Sequence, residues 1–327
     1  MKEQLITNKI LNWYDINKRS LPWRKKATTK KREYYTLVTE FMLQQTQVIT
    51  VIPYFNRFIK NVPDLESLAK FDNRKLIKLW EGLGYYSRVR NLKKTSKAII
   101  KDFNKKLPDD LLNLKSLPGI GDYTARAILA IVFNKPLIPL DGNIERVLKR
   151  YLYLKKGIQI KKENLIKNKK VFGTSNRSSD YAQALMELGA LICKPNNPLC
   201  DRCPISKSCK SFIKKDFILT KIKKKDKVKY FLLKVYKKDN KYLLVKNKNF
   251  NFLKNFNIFP MKELTKPKNF SQNLSVKMSN MNMNIKVENH KMNKPIPFSY
   301  WINPEKLSDY TLPTFTKKIV TYLEKNK

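Results

Sequence analysis

Several residue types are scarce in this 327-residue chain, and each scarcity excludes something. There are four cysteines, all between Cys193 and Cys209, so no framework of scattered disulfides staples the fold. The single histidine is His290, which excludes a histidine acid–base mechanism anywhere in the first two thirds of the chain. Glycine numbers eight, none beyond Gly189, and six of them sit at four places: Gly82 with Gly84, Gly119 with Gly121, Gly142, and Gly189. A chain this poor in glycine keeps it where backbone geometry demands it. No apolar run approaches the ~18–20 residues that a membrane helix needs. Acidic residues number 26 against 69 basic ones, and no arginine follows Arg202.

What is present begins with charge. A formal net charge of +43 attracts polyanions, nucleic acid first among them, because Lys and Arg neutralise phosphates and release their counterions. Abundant Lys, Asn and Ile is also what an AT-rich genome produces, so charge alone does not decide. Arginine suits bidentate phosphate and base contacts, which places the specific chemistry before Arg202. A hydrophobic content of 42% rules out wholesale disorder, and the length suits about two domains. The N-terminus carries charge where a secretory signal needs an apolar stretch, so a cytoplasmic protein with no membrane partner is expected; a monomer is expected as well.

Periodic apolar positions, such as Leu37, Phe41, Val48 and Ile52, predict a mostly helical domain over residues 1–213. A Lys-rich stretch at 214–229 reads as a linker. Residues 230–327 read as a smaller α+β domain. Strand-like runs at 230–236 and 241–246, separated by Lys-Lys-Asp-Asn, predict a β-hairpin, and a closing helix is expected near 314–325.

Leu117-Pro118-Gly119-Ile120-Gly121 lies between helical patterns inside residues 109–133. Two glycines in a turn between helices turn backbone N–H groups outward beside a helix N-terminus, which cradles a phosphate without a side chain. Twenty residues beyond Gly121 stands Asp141, in Pro139-Leu140-Asp141-Gly142-Asn143, where an Asp also reads as a helix N-cap. Cys193, Cys200, Cys203 and Cys209 follow, four thiols able to wrap one centre, either zinc or an iron–sulfur cluster.

This order of motifs resembles the endonuclease III superfamily of base-excision DNA glycosylases, whose cysteine loop (here 193–209) holds a [4Fe-4S] cluster. The bifunctional branch carries a nucleophilic Lys two residues after the hairpin's last glycine. Tyr123 stands there instead, so Schiff-base chemistry loses its agent. Leu21-Pro22-Trp23-Arg24, the run Thr39 to Val48, Gly82 to Arg88, Asp141-Gly142-Asn143 and Met186 to Ala190 are similar to the MutY-type adenine DNA glycosylases. The resemblance covers residues 5–210 closely and the rest loosely. It implies a helix-hairpin-helix glycosylase domain with an iron–sulfur loop, followed by a Nudix-like lesion-recognition domain. The implied reaction is removal of adenine mispaired with 8-oxoguanine or guanine in double-stranded DNA.

Breaking an N-glycosidic bond through a cationic sugar needs an acid for the leaving base and a carboxylate for the cation. Glu40, among Leu37, Val38, Phe41 and Met42, is placed to stay protonated as the acid. Asp141 would stay ionised. The resemblance assigns the same roles, adds Tyr123 and Asn143 as hydrogen-bond partners of Asp141, and puts Arg24 and Glu187 in the adenine pocket. Leu43, Gln44 and Gln45 would probe the space left by an extruded base, with Tyr85 as a wedge, while Leu117, Gly119 and Gly121 engage the backbone. In the C-terminal domain, Asn255 to Pro260 resembles the family's Gly-Leu-Trp-Glu-Phe-Pro without its Gly and Trp. No Glu-rich Nudix box follows, so pyrophosphohydrolase activity is not expected. Met278, Ser279 and Asn280 fall where the family reads the oxidised base with Phe-Ser-His. Two rivals remain: an endonuclease III-like lyase on oxidised pyrimidines, and a catalytically idle iron–sulfur DNA-binding protein.

Overall fold

In a computed structural model the described residues are 2–154, 169–217, 226–265, 270–278 and 280–326. They group into two compact units, Met1–Asp72 with Tyr85–Lys221, and Asn73–Gly84 with Ile222–Lys327. The short stretch 73–84 is where this division differs from the sequence reading, and its partners at residues 308–317 are the reason.

The first unit is helical. After α1 (Lys2–Asn17), α2 (Thr29–Leu43) starts at Thr28, whose hydroxyl accepts from the Lys31 N–H. It buries Tyr34, Leu37, Val38 and Phe41, the spacing of one helical face. Then come α3 (Val48–Asn61) and α4 (Leu65–Lys70), the latter closed by an Asp64–Ser67 capping box. α5 (Asn73–Leu79) belongs to the second unit, and α6 (Ser87–Asp102) returns to the first.

The hairpin is formed by α7 (Leu111–Ser116), capped by Asp110, and α8 (Asp122–Ile131). Gly119 has φ +82°, and a Cβ there would meet Asn91 Cβ at 2.8 Å and Phe41 Cε1 at 2.9 Å. Only glycine lets the turn press this closely onto α2 and α6. α9 (Gly142–Leu152) opens at Asp141, and α10 (Ser178–Glu187) runs on into a π-helical turn, Leu188–Ile192, before α11 (Lys210–Ile213). Ile10, Tyr14, Ile144, Leu148, Tyr181, Leu185 and Leu188 join α1, α9 and α10 in one core.

Among its described residues the second unit holds two four-stranded sheets. β1 (Lys227–Val235) is followed by β2 (Lys237–Lys238), β3 (Lys241–Lys246), β4 (Asn257–Ile258), β5 (Met261–Leu264), β6 (Leu274–Met278), β7 (Met281–Asn289) and β8 (Ser299–Ile302). One sheet runs β5-β1-β7-β6, with β1 parallel to β7; in the other, β3 pairs with β2, β4 and β8. The expected hairpin between 230–236 and 241–246 is therefore corrected. The turn at Asp239–Asn240, both at positive φ, joins β3 to the two-residue β2, whereas β1 belongs to the other sheet. Alternate residues Phe231, Leu233 and Val235 share a core with Tyr242 and Leu244, so the chain changes sheets at Tyr236 in order to cover one core twice. α12 (Thr314–Lys325) closes that core with Phe315, Ile319 and Val320.

Asn255, standing where the family motif has glycine, has φ +67°. Asparagine is among the few residues that tolerate this region.

Candidate active site

Three elements bring Glu40, Tyr123 and Asp141 together. Glu40 lies on the buried face of α2 and is 5% exposed. Tyr123 is the second residue of α8, and Asp141 caps α9. Burial pushes the Glu40 carboxyl up to about 8; the negative charge of Asp141 adds to the rise, and a hydrogen bond from Tyr123 opposes it. The Tyr123 hydroxyl is driven well above its ordinary value by burial and by both carboxylates, so it stays protonated and donates to Glu40. The resemblance assigns this bond to Asp141; the structure gives it to Glu40.

Asp141 is differently supplied. Burial leaves its carboxyl raised on balance, opposed by the Ile144 N–H, which donates to Oδ1 at 2.7 Å, by Asn143 Nδ2, which donates to Oδ2 at 2.9 Å, and by the Asn143 N–H and the Arg146 charge, all of which favour its anion. The N-cap role and the chemical candidacy thus meet in one residue, because the N–H donors of a helix N-terminus favour the carboxylate that caps it. Of the two carboxyls, Glu40 is raised further and is the one that favours the proton.

Asn143 also accepts from Arg146 Nη2 at 2.8 Å, and Arg146 donates to the carbonyls of Gly189 and Cys193 at 2.7 Å each. An unbroken run of hydrogen bonds therefore leads from Asp141 to the first cysteine. Beside it, Glu187 is 1% exposed and takes Arg24 Nη1 at 2.9 Å on Oε1, while Arg19 grips both its oxygens at 2.7 and 3.0 Å. A buried carboxylate of this kind requires such pairing. The structure brings Arg24 and Glu187 together as the sequence suggested. Arg19 was missed there, although it stands only five residues before Arg24.

Gln44 Nε2 donates to the Gly119 carbonyl at 3.4 Å, tying the end of α2 to the hairpin. Leu43 and Gln44 are half-buried, and Gln45 is exposed at φ +56°. Gly119 and Gly121 are exposed, whereas the Leu117 side chain faces the core. Arg88, unassigned in the sequence reading, is buried beneath this corner. Its Nη1 donates to the carbonyls of Met42 and Gln44 at 2.6 Å each and to Thr46 Oγ1 at 3.0 Å, and burial lowers it to about 10. It closes the open carbonyls at the end of α2. Tyr85, at φ +45° and 46% exposed, lies 5.5 Å from the Arg88 guanidinium.

Cys193, Cys200, Cys203 and Cys209 line one cavity with Val147, Leu188 and Ile192. Burial pushes Cys203 up to about 12 and raises Cys200 and Cys209, with mutual thiolate repulsion adding to it. Backbone N–H groups of Ile205, Ser211 and Phe212 point the other way, toward Cys203 and Cys209 sulfur, and Arg150 Nη1 is 3.5 Å from Cys193 Sγ. Among the described residues no group of three or more His, Cys, Asp or Glu is arranged to hold a single metal ion. The donor chemistry fits a sulfur-ligated cationic group: four sulfurs around one cavity, with N–H donors to their thiolates.

In the second unit, Met278 ends β6 and pairs with Met281 of β7, and Asn280 is exposed in the turn between them. Ser279 lies outside the described residues.

Residues 38–171 match the HhH-GPD superfamily of base excision DNA repair proteins. The adenine DNA glycosylase of Buchnera aphidicola subsp. Baizongia pistaciae is 36% identical over 97% of this chain and 96% of its own length. The human adenine DNA glycosylase is 38% identical over 62% of this chain, which spans 38% of the human protein. Among solved structures, a thermostable thymine-DNA glycosylase superposes with a TM-score of 0.57 and 25% identity, covering 65% of this chain and 97% of that one. A trapped endonuclease III–DNA covalent intermediate gives 0.53 at 19% identity over 66% and 99%, a likeness of fold.

Proposed function

We propose, from the premise that this chain belongs to the adenine DNA glycosylase family of the HhH-GPD superfamily, that it removes adenine paired with 8-oxoguanine or guanine in duplex DNA by hydrolysis alone. The observation that carries the mechanism is the pairing of a buried Glu40, its carboxyl pushed up to about 8, with an Asp141 that accepts hydrogen bonds from the Ile144 N–H and Asn143 Nδ2. Glu40 donates its proton to a ring nitrogen of the leaving adenine, so the base departs neutral as its bond to the sugar breaks. Asp141 faces the developing sugar cation and stabilises it until water takes the position of the base. Tyr123 orients Glu40, and Asn143 orients Asp141. Arg24 and Glu187, paired with each other and with Arg19, line the adenine pocket.

Position 123 offers a phenol and no amine, which removes the agent of strand cleavage and favours this reading over a lyase. The hairpin glycines hold the DNA backbone, and Leu43, Gln44, Gln45 and Tyr85 fill the space from which the base is drawn. Cys193, Cys200, Cys203 and Cys209 hold a [4Fe-4S] cluster, whose contribution is structural and electrostatic. Residues 230–327 act as a Nudix-like lesion reader, with Met278, Ser279 and Asn280 assigned to the oxidised base.

Single-turnover assays on duplexes containing A:8-oxoguanine, A:G and a thymine-glycol pair test the substrate. Base release is expected from the two adenine pairs only, with strand breaks appearing only after alkali. Release of thymine glycol, or breaks without alkali, overturns the reading.

A further inference from the structure

We propose that Glu81 is a positioning residue for Tyr85, acting through the short turn that joins them. The inference rests on the reading of Tyr85 as the base wedge. Although Asn73–Gly84 interrupts the helical unit in sequence, it is part of the second unit. One carboxylate accounts for much of that attachment. Glu81 Oε1 accepts from the Leu312 N–H at 3.1 Å and from Lys317 Nζ at 2.9 Å, and its Oε2 accepts from Lys78 Nζ at 3.0 Å. Lys78 Nζ also donates to the carbonyls of Ser308 at 2.5 Å and Tyr310 at 3.2 Å. The Glu81 side chain is 11% exposed. Burial acts to raise its carboxyl, but the two lysines and the Leu312 N–H outweigh burial and leave it lowered. A nearly buried carboxylate with three donors is a fixed point, unlike a solvated surface pair.

The fixed point stands four residues before Tyr85. Trp80 next to it is fully buried, and its Nε1 donates to the Gly84 carbonyl at 3.1 Å, closing the turn. Gly82 and Gly84, at φ +98° and +72°, make that turn and supply no side chain to stiffen it. The direction in which the chain leaves Gly84, and so the stance of Tyr85, is set by what anchors Trp80 and Glu81. An element that must wedge a duplex gains from such anchoring, since small misplacements at a reacting complex slow it steeply.

The test is a mutant cycle on full-length protein, read as single-turnover adenine release from an A:8-oxoguanine duplex. Tyr85→Ala alone is expected to slow release, and Glu81→Ala to slow it on the order of tenfold. The double variant should be no slower than Tyr85→Ala, because both act through one side chain. Glu81→Gln, which still accepts from the Leu312 N–H, should recover part of the rate. Lys317→Met, a milder cut of the same tie, should show the same dependence on Tyr85 should Glu81→Ala not fold. Effects of Glu81→Ala and Tyr85→Ala that multiply, or a Glu81→Ala rate equal to wild type, overturn the proposal. A wild-type rate in Tyr85→Ala removes the wedge reading itself, and with it this inference.

Discussion

Gly189 lies so close to Asn143 that a Cβ on the glycine would stand 2.6 Å from Asn143 Cβ and 3.0 Å from its backbone. The π-helical turn after α10 thus presses against the residue that holds Asp141. Gly189→Ala must displace Asn143 or the turn, costing about 1–3 kcal/mol of stability. Adenine release should fall by an order of magnitude or more as the Asp141 hydrogen bond is lost. Gly142→Ala is the control, since its Cβ would meet nothing within 4 Å. Thermal melts and single-turnover rates of the two variants check the contrast, and equal effects would count against it.

The pH dependence of base release follows from the two carboxyls. In the proposed mechanism Glu40 acts while it holds its proton, and burial pushes that carboxyl up to about 8, so the rate should fall as pH rises through that value. Asp141 must be ionised, so the rate should also fall on the acid side. A single-turnover profile should show the alkaline limb when carried up to pH 9.5 and the other limb when carried down into the acid range. A rate that holds level past pH 9 contradicts the acid role.

Stability should depend on the same group with a defined sign. The folded chain keeps the Glu40 proton to about pH 8, whereas the unfolded chain loses it near the ordinary 4.5. The unfolded state therefore binds fewer protons between these values, and stability declines as pH rises through that window. Glu40→Gln does not titrate and should gain on wild type there. The gain should be on the order of 3 kcal/mol near pH 8 and small at pH 4.5. Melting temperatures at the two pH values measure it, and a constant difference sinks the claim.

Arg19 supplies a fourth test. It contacts both oxygens of a carboxylate that is 1% exposed, while Arg24 contacts one. Arg19→Ala should therefore destabilise the protein by about 2–4 kcal/mol, because Glu187 is left with half its pairing in a dry site. Arg19→Lys should restore charge without the two-pronged grip and recover only part of this. Urea denaturation of both variants decides the matter.

What was legible in the sequence was local. The hairpin at 117–121, the cap at Asp141 and the carboxyl at 40 among apolar neighbours are each written within a few adjacent residues, and the closing helix at 314–325 follows its period. The rest depends on contacts distant in sequence. Arg88 meets carbonyls more than 40 residues away, and Arg19 meets a partner 168 residues on. Glu81 meets one 231 residues on. No local pattern marks an arginine that will close a helix end from beneath. The misread hairpin has the same origin, since the turn residues were found but β1 takes its partners from β5 and β7.

The chemical account is tested most directly by Glu40→Gln, compared with wild type for binding and for single-turnover adenine release on one A:8-oxoguanine duplex. Glutamine keeps the shape and loses the transferable proton, so release should drop by about 10²–10⁴-fold while duplex affinity stays within a few-fold. A variant that still excises adenine near the wild-type rate, or one that loses DNA binding together with turnover, would show that the proton comes from elsewhere.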